Sequence, residues 1–391
     1  MHSCILFLNE VSWIGGAERA LLDLMSGLDR DKFRPILVCP CEGAFPDAAR
    51  ATGIEVHVVP FYGVRARNPL RYFETMARLR AIVRKHKIEL IHVNHQYFSN
   101  YGVVLGRICR LPVIVHLRGV ETDEFFKSFA PWLARADRVI CVSHAVRTRL
   151  LEYANLQLGS RQRNRLVHGS CVAYDGLRPP KEETDHTAFR QRFGIKQNAR
   201  IVGIVGQVVR EKGLCEFVAA AEIVKHDCRD AHFLVVGEDT GPDGEFAAEI
   251  KERTQKIGMQ GSFTFTGFRS DAAALFQLLD VSVLASWQEA FGRVVLETFC
   301  SGVPMVATSV GGVPEMIEDG INGILVPPKD PSALADAILR VLKMPEDERQ
   351  RMVQEGKKTA ARFSVESHVE QIQAIYDELL SRNQLRVGRN D

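Results

Sequence analysis

The sequence predicts an α/β protein with two doubly wound parallel-sheet domains. Three observations lead there. The chain has 391 residues, more than one hydrophobic core organises, so two domains are expected. It is 46 % hydrophobic and 25 % charged, enough apolar material for two cores and too much for a disordered chain. Short, wholly apolar runs alternate with helical periodicity, the pattern of parallel strands covered by helices on both faces.

In the first half, apolar runs at 5–9, 36–39, 54–59, 90–94, 113–116 and 139–142 read as strands. The N-terminal run lacks a preceding basic region and reads as a strand, not a signal peptide. No stretch of about 18 apolar residues predicts a membrane span. The nine cysteines form no regular framework, and Cys39-Pro40-Cys41 is too isolated for a four-ligand zinc site. Reduced thiols and a cytoplasmic protein are expected. The rhythm breaks at 155–185, where Gly176, Pro179 and Pro180 suggest a hinge. Strands resume at 201–206 and continue at 233–236, 263–266, 281–285, 305–307 and 323–326. The expected domains are 1–175 and 176–362. Residues 363–391 supply a helix crossing back to the first.

Residues 1–170 carry 24 Lys and Arg against 15 Asp and Glu, and the remainder 26 against 33. A basic half (+9) joined to an acidic half (−7) suits an anionic substrate or membrane. Arginines between Arg65 and Arg84 alternate with apolar residues on a predicted helix, which could lie on an anionic membrane surface. No aromatic–basic platform or recognition motif points to nucleic acid.

In such sheets ligands bind beyond the carboxyl ends of the strands. Gly15 and Gly16 stand between a strand and a helix, where the backbone can approach a phosphate at the helix N-terminus. Asp29-Arg30-Asp31 resembles a metal–diphosphate carboxylate pair but follows a helix, at the other end of the sheet; it reads as a solvated turn. His116 closes a strand and can hydrogen-bond a sugar hydroxyl or a reacting oxygen, or serve structure alone; His92, His95 and His144 occupy similar places. In the second half Lys212-Gly213 follows the first strand and can reach a diphosphate as a point charge. Gly311-Gly312 precedes Pro314 and predicts another helix opening. Glu289 and Glu297 follow the strand at 281–285. Eight residues apart, they lie just over two turns apart if a helix starts near Glu289, about 12 Å by rise. The amides of Phe291 and Gly292 would then point from its N-terminus towards an anion.

Together these residues resemble the retaining glycosyltransferases of family 4, which have the GT-B fold of two Rossmann-like domains facing across a cleft. The resemblance rests on Glu289-Ala290-Phe291-Gly292 with Glu297, on Gly206 five residues before Lys212-Gly213, on Gly311-Gly312-Val313-Pro314-Glu315 with Asp319-Gly320-Ile321-Asn322-Gly323, and on Gly15-Gly16-Ala17-Glu18. It is strong over 200–330. It implies that Glu297 holds the ribose hydroxyls, Glu289 the donor sugar, and Ala290, Phe291 and Gly292 the sugar and phosphates. Lys212 would neutralise the leaving diphosphate, Gly15 and Gly16 would meet that diphosphate, and His116 would face the donor sugar and acceptor. One position departs: Gln207 stands where the family commonly has Arg, with Arg210 a candidate replacement.

The expected function is therefore transfer of a sugar from a nucleotide-sugar, UDP- rather than GDP-linked, to a glycan or lipid-linked acceptor in envelope polysaccharide assembly. Retention at the anomeric carbon and independence of metal and cofactor are expected. A non-catalytic nucleotide-sugar-binding protein and an epimerase of the same architecture are the alternatives.

Overall fold

The computed structural model describes residues 2–61, 69–119, 122–179, 185–239, 241, 244–269 and 271–387. The chain divides into two compact units, Met1–Gly176 with Ser364–Asp391, and Leu177–Phe363.

Unit 1 holds a seven-stranded, all-parallel sheet: β1 (Ser3–Leu8), β2 (Phe33–Cys39), β3 (Glu55–Val58), β4 (Ile88–Val93), β5 (Val113–Leu117), β6 (Arg138–Cys141) and β7 (Ser170–Val172), in the order β3-β2-β1-β4-β5-β6-β7. Central strands are buried along nearly their whole length, which is why they read as unbroken apolar runs. The polar, basic stretch taken for part of a hinge instead forms the helix Ser160–Gly169 and leads into β7. Its three arginines and lack of strong periodicity hid it. The final helix, Val365–Val387, buries Val369, Ile372 and Tyr376 against Leu21, Met25 and Phe33 of this unit.

Unit 2 holds a six-stranded parallel sheet: β8 (Arg200–Val205), β9 (Ala231–Val236), β10 (Phe263–Phe265), β11 (Val281–Leu284), β12 (Met305–Thr308) and β13 (Ile324–Val326), in the order β10-β9-β8-β11-β12-β13. Phe217 and Phe233 are fully buried in its larger core, beside Val283 and Ile338. The strand order reverses between β8 and β11 here, and between β1 and β4 in unit 1. At such switch points adjacent crossovers run to opposite faces and leave a crevice at the carboxyl ends.

The basic helix is present as Pro69–His86, and its arginines face solvent. Met76, Leu79, Ile82 and Val83 are buried within unit 1, while Leu70 and Phe73 in the first turns of the helix are exposed. The part of that stretch at 62–68 lies outside the described residues. Among the described residues no helix is long and apolar enough to cross a membrane. All nine cysteines are free.

Candidate functional site

In unit 2 three loops converge beyond β8, β11 and β12. The first turns at Gly213, whose φ of +69° suits glycine. A Cβ there would stand 1.9 Å from the Ala285 carbonyl oxygen, so only glycine lets this loop close on the end of β11. The Trp287 amide donates to the Glu211 carbonyl at 2.8 Å and fastens the same two loops. On the other side Gly311, at φ +51°, lies against the Glu289 carbonyl; a Cβ would come within 1.6 Å. The Gly312 amide donates to that carbonyl at 3.2 Å, and Thr308 Oγ1 donates to the Ser286 carbonyl at 2.6 Å. The loop carrying Glu289 is thus gripped from both neighbours.

This bracing aims two side chains at each other across the switch point. Lys212 Nζ donates to Glu289 Oε1 at 2.5 Å, and Ser286 Oγ donates to the same oxygen at 2.8 Å. The lysine is 28 % and the glutamate 11 % exposed, so the pair is shielded from bulk water but reachable. A pocket beside it is lined by Gly206, Gln207, Val208, Lys212, Leu284 and Ser286, among others.

Two local expectations are corrected. The helix after β11 is Arg293–Cys300, and Gly292 before it has φ +89°, outside the right-handed helical region. Glu289 therefore lies in the loop and only Glu297 on the helix, so the two acids do not share a helix face two turns apart. Phe291 is buried, its ring centroid 5.8 Å from that of Phe363, and Ala290 joins it to the glutamate. Likewise Val313–Glu315 is a single 3₁₀ turn, not a longer helix opened by Gly311-Gly312: the chain turns again within a few residues. Gln207 is exposed. Arg210, considered as its charged substitute, is instead held by Glu249 through both terminal nitrogens, at 3.3 and 2.5 Å, and lies over the Phe246 ring.

Unit 1 has its own polar centre at its switch point. Asn9 follows β1 and Asn94 follows β4; Asn94 Nδ2 donates to Asn9 Oδ1 at 2.7 Å. Arg118, just past β5, donates from Nε to Asn94 Oδ1 at 3.0 Å and from Nη1 to Asp175 at 2.5 Å. Arg118 and Asp175 are 2 % and 5 % exposed. Gly176 fixes the neighbouring chain path, since a Cβ there would meet the Ser364 carbonyl oxygen at 2.5 Å. The sequence reading missed Asn9, Asn94, Arg118 and Asp175. Asn9, Asn94 and Arg118 are polar residues immediately after buried strands, which was the available signal.

His116 lies inside β5, not in the loop, and is fully buried. Its Nδ1 is 3.2 Å from Arg118 Nη2. Since guanidinium can only donate, Nδ1 accepts and the proton resides on Nε2. Burial, reinforced by the Arg118 charge, holds its pKa well below the usual histidine range. The ring stacks with His92 at 5.6 Å and faces His368 at 6.2 Å. Gly15 caps the helix Gly16–Gly27, and its amide donates to Glu18 Oε2 at 3.1 Å. The expected Gly15 donor to a diphosphate is thus engaged by its own helix. Burial raises the Glu18 pKa, against the lowering effect of those amides.

His92 is also fully buried, with its pKa driven far down by burial and then by Arg118. Both histidines fold neutral, whereas the unfolded chain protonates them below about pH 6.5. Below that pH each of them takes up a proton on unfolding, so together they make unit 1 lose stability as pH falls. Glu18, with a raised pKa, works in the opposite direction. Thermal unfolding at pH 7 and 5.5 should show a lower midpoint at 5.5. His92→Gln should reduce the difference.

Residues 185–359 match the family described as Glycosyl transferases group 1, and residues 14–158 match Glycosyltransferase Family 4. The chain is 28 % identical to the alpha-D-kanosaminyltransferase of Streptomyces kanamyceticus, over 71 % of this chain and 74 % of that one. It is 31 % identical to the D-inositol 3-phosphate glycosyltransferase of Corynebacterium urealyticum over 49 % of this chain, a match spanning only 46 % of that relative. Anabaena HepE, solved in complex with UDP-glucose, superposes with a TM-score of 0.84 at 24 % identity, covering 97 % of this chain and all of that one. WaaG, a glycosyltransferase involved in lipopolysaccharide biosynthesis, gives 0.70 at 17 % identity, covering 95 % and 99 %. At such identities the two structures show the shared fold. The two Rossmann-like sheets and the two family matches, which between them take in most of both units, give one conclusion: the chain belongs to the group 1, family 4 glycosyltransferases of GT-B fold.

Proposed function

We propose that the protein transfers a sugar from a UDP-sugar to a glycan or lipid-linked acceptor in cell-envelope polysaccharide or glycoconjugate assembly, with retention at the anomeric carbon and without a metal. The observation carrying this reading is the Lys212–Glu289 pair at the switch point of unit 2, on loops that glycines clamp together. The likeness to HepE, solved with UDP-glucose, and the relative named as a lipopolysaccharide core mannosyltransferase, 30 % identical over 55 % of this chain, support the donor and acceptor classes.

In this reading Lys212 meets the diphosphate and stabilises the charge that develops as the glycosidic bond breaks. Gln207, beside it in the pocket, adds a neutral donor. Glu289 receives the sugar hydroxyls, while Ala290, Phe291 and Gly292 border the sugar and phosphates. Glu297, one turn into its helix, holds the ribose. Glu289 Oε1 already accepts from Lys212 and Ser286. A carboxylate so held suits hydroxyl binding better than nucleophilic attack, which favours front-face transfer through an ion pair. His116 orients Arg118 from behind and acts as a positioning residue.

A cytoplasmic protein resting on the inner membrane face fits the basic unit 1. Arg107, Arg135, Arg161 and Arg165 border one open pocket there, a place for anionic headgroups.

Thermal shift with UDP, GDP and their sugars, with and without EDTA, tests the reading. Stabilisation of several degrees by UDP compounds, unchanged by EDTA, is expected. No shift with any nucleotide would refute it, and a shift lost with EDTA would refute its metal-free part.

A further inference from the structure

We infer that Glu55, His57 and His86 form a zinc site in unit 1, independent of donor binding. The three residues come from two elements. Glu55 and His57 are alternate residues of β3, the edge strand of the sheet, and so project to one side of it. His86 is the last residue of the helix Pro69–His86, and Lys87 at φ +51° turns the chain into β4.

Three potential donor atoms meet at one point. His57 Nε2 is 3.0 Å from His86 Nε2. Glu55 Oε1 is 3.3 Å from the first nitrogen and 3.4 Å from the second. Ligands about 2.05 Å from a tetrahedral zinc ion stand about 3.3 Å apart. The observed triangle has nearly that edge on all three sides. One N–H between the rings satisfies a single side of the triangle, whereas a cation at its centre turns all three lone pairs to use. Two imidazoles and a carboxylate are a common donor set for zinc.

The surroundings support the assignment. Arg34 Nη2 donates to the other carboxylate oxygen, Glu55 Oε2, at 2.9 Å, fixing the group so that Oε1 alone faces the histidines. His86 has a side chain only 6 % exposed, while Glu55 is 35 % exposed and leaves a path from solvent for the ion and a fourth, water ligand. Burial lowers the His86 pKa, and His57, Lys85 and Arg34 add to this against Glu55. The ring is therefore neutral and ready to ligate at pH 7. The nearby Arg34 and Lys85 charges oppose a cation, so moderate affinity is expected. The bound ion would tie the edge strand to the end of the helix that precedes β4, a structural clip.

The test uses the full chain after EDTA treatment and dialysis. Titration with Co²⁺ should give the visible absorption of a four-coordinate ion, saturating at one equivalent, and Zn²⁺ should displace it. Zinc should also raise the unfolding midpoint. His57→Gln and His86→Gln should each weaken cobalt binding at least tenfold, whereas Cys41→Ser, which removes an exposed thiol, should leave it unchanged. Glu55→Gln, at the exposed side of the site, decides the matter if a histidine variant fails to fold by circular dichroism. Absence of the absorption in the wild-type chain, or undiminished binding in folded variants of these three residues, would overturn the site.

Discussion

Replacing Glu289 by alanine should reduce sugar transfer by on the order of 100-fold or more while leaving UDP affinity within a few-fold of wild type. The carboxylate is held on Oε1 by Lys212 and Ser286. Hydrogen bonds to a charged group are each worth roughly 1.5–3 kcal/mol, so loss of two to a sugar, if they tighten as the bond breaks, costs at least two orders of magnitude in rate. The Glu289 carbonyl still accepts from Gly312, and that backbone bond survives the substitution, so the loop should keep its course. Nucleotide contacts ascribed to Glu297 and Lys212 remain. UDP release in the presence of an acceptor mixture, beside direct UDP binding, separates the two effects. Transfer at the wild-type rate would remove Glu289 from the mechanism.

Arg118→Ala should produce a large loss of stability. The guanidinium is buried against buried Asp175, and it also donates to Asn94 and lies against His116. Removing it takes the guanidinium from a buried carboxylate, a class of change costing about 3–5 kcal/mol. It also lifts a positive charge from beside His92 and His116, for both of which Arg118 is the second cause of a depressed pKa. Unit 1 should unfold several degrees earlier by differential scanning calorimetry, while unit 2, with its separate core, should keep its transition. A variant as stable as wild type would show that the network contributes little. Arg118→Lys should recover only part of the loss, since an ammonium cannot serve Asp175 and Asn94 with the same fork.

Much of the fold was legible because its strands are buried on both faces. Val281–Leu284 and Ile36–Cys39 announce themselves by composition alone. β7 did not, being three residues long and following an arginine-rich helix. Local backbone geometry was harder. The reading of Glu289 and Glu297 as one helical face failed on the left-handed turn at Gly292, which periodicity cannot reveal. The candidate site of unit 2 was legible through motif residues that carry charge, Lys212 and the two glutamates. Their direct contact was not foreseen, because a salt bridge spanning 77 residues depends on the sheet order. The network of unit 1 was overlooked for a related reason. Asn9 and Asn94 are unremarkable in sequence and acquire meaning only once β1 and β4 lie side by side. His116 drew notice as a strand-end histidine, but which way a strand residue faces is settled by packing, and here it faces inward.

The most direct test of the central claim, that the crevice of unit 2 binds a UDP-sugar through Lys212 and Glu297, is calorimetric titration of UDP into the EDTA-treated chain. The account predicts one site per chain, with affinity falling at least tenfold in Lys212→Ala and in Glu297→Ala. Absence of binding by the wild-type chain, or binding that neither substitution weakens, would contradict it.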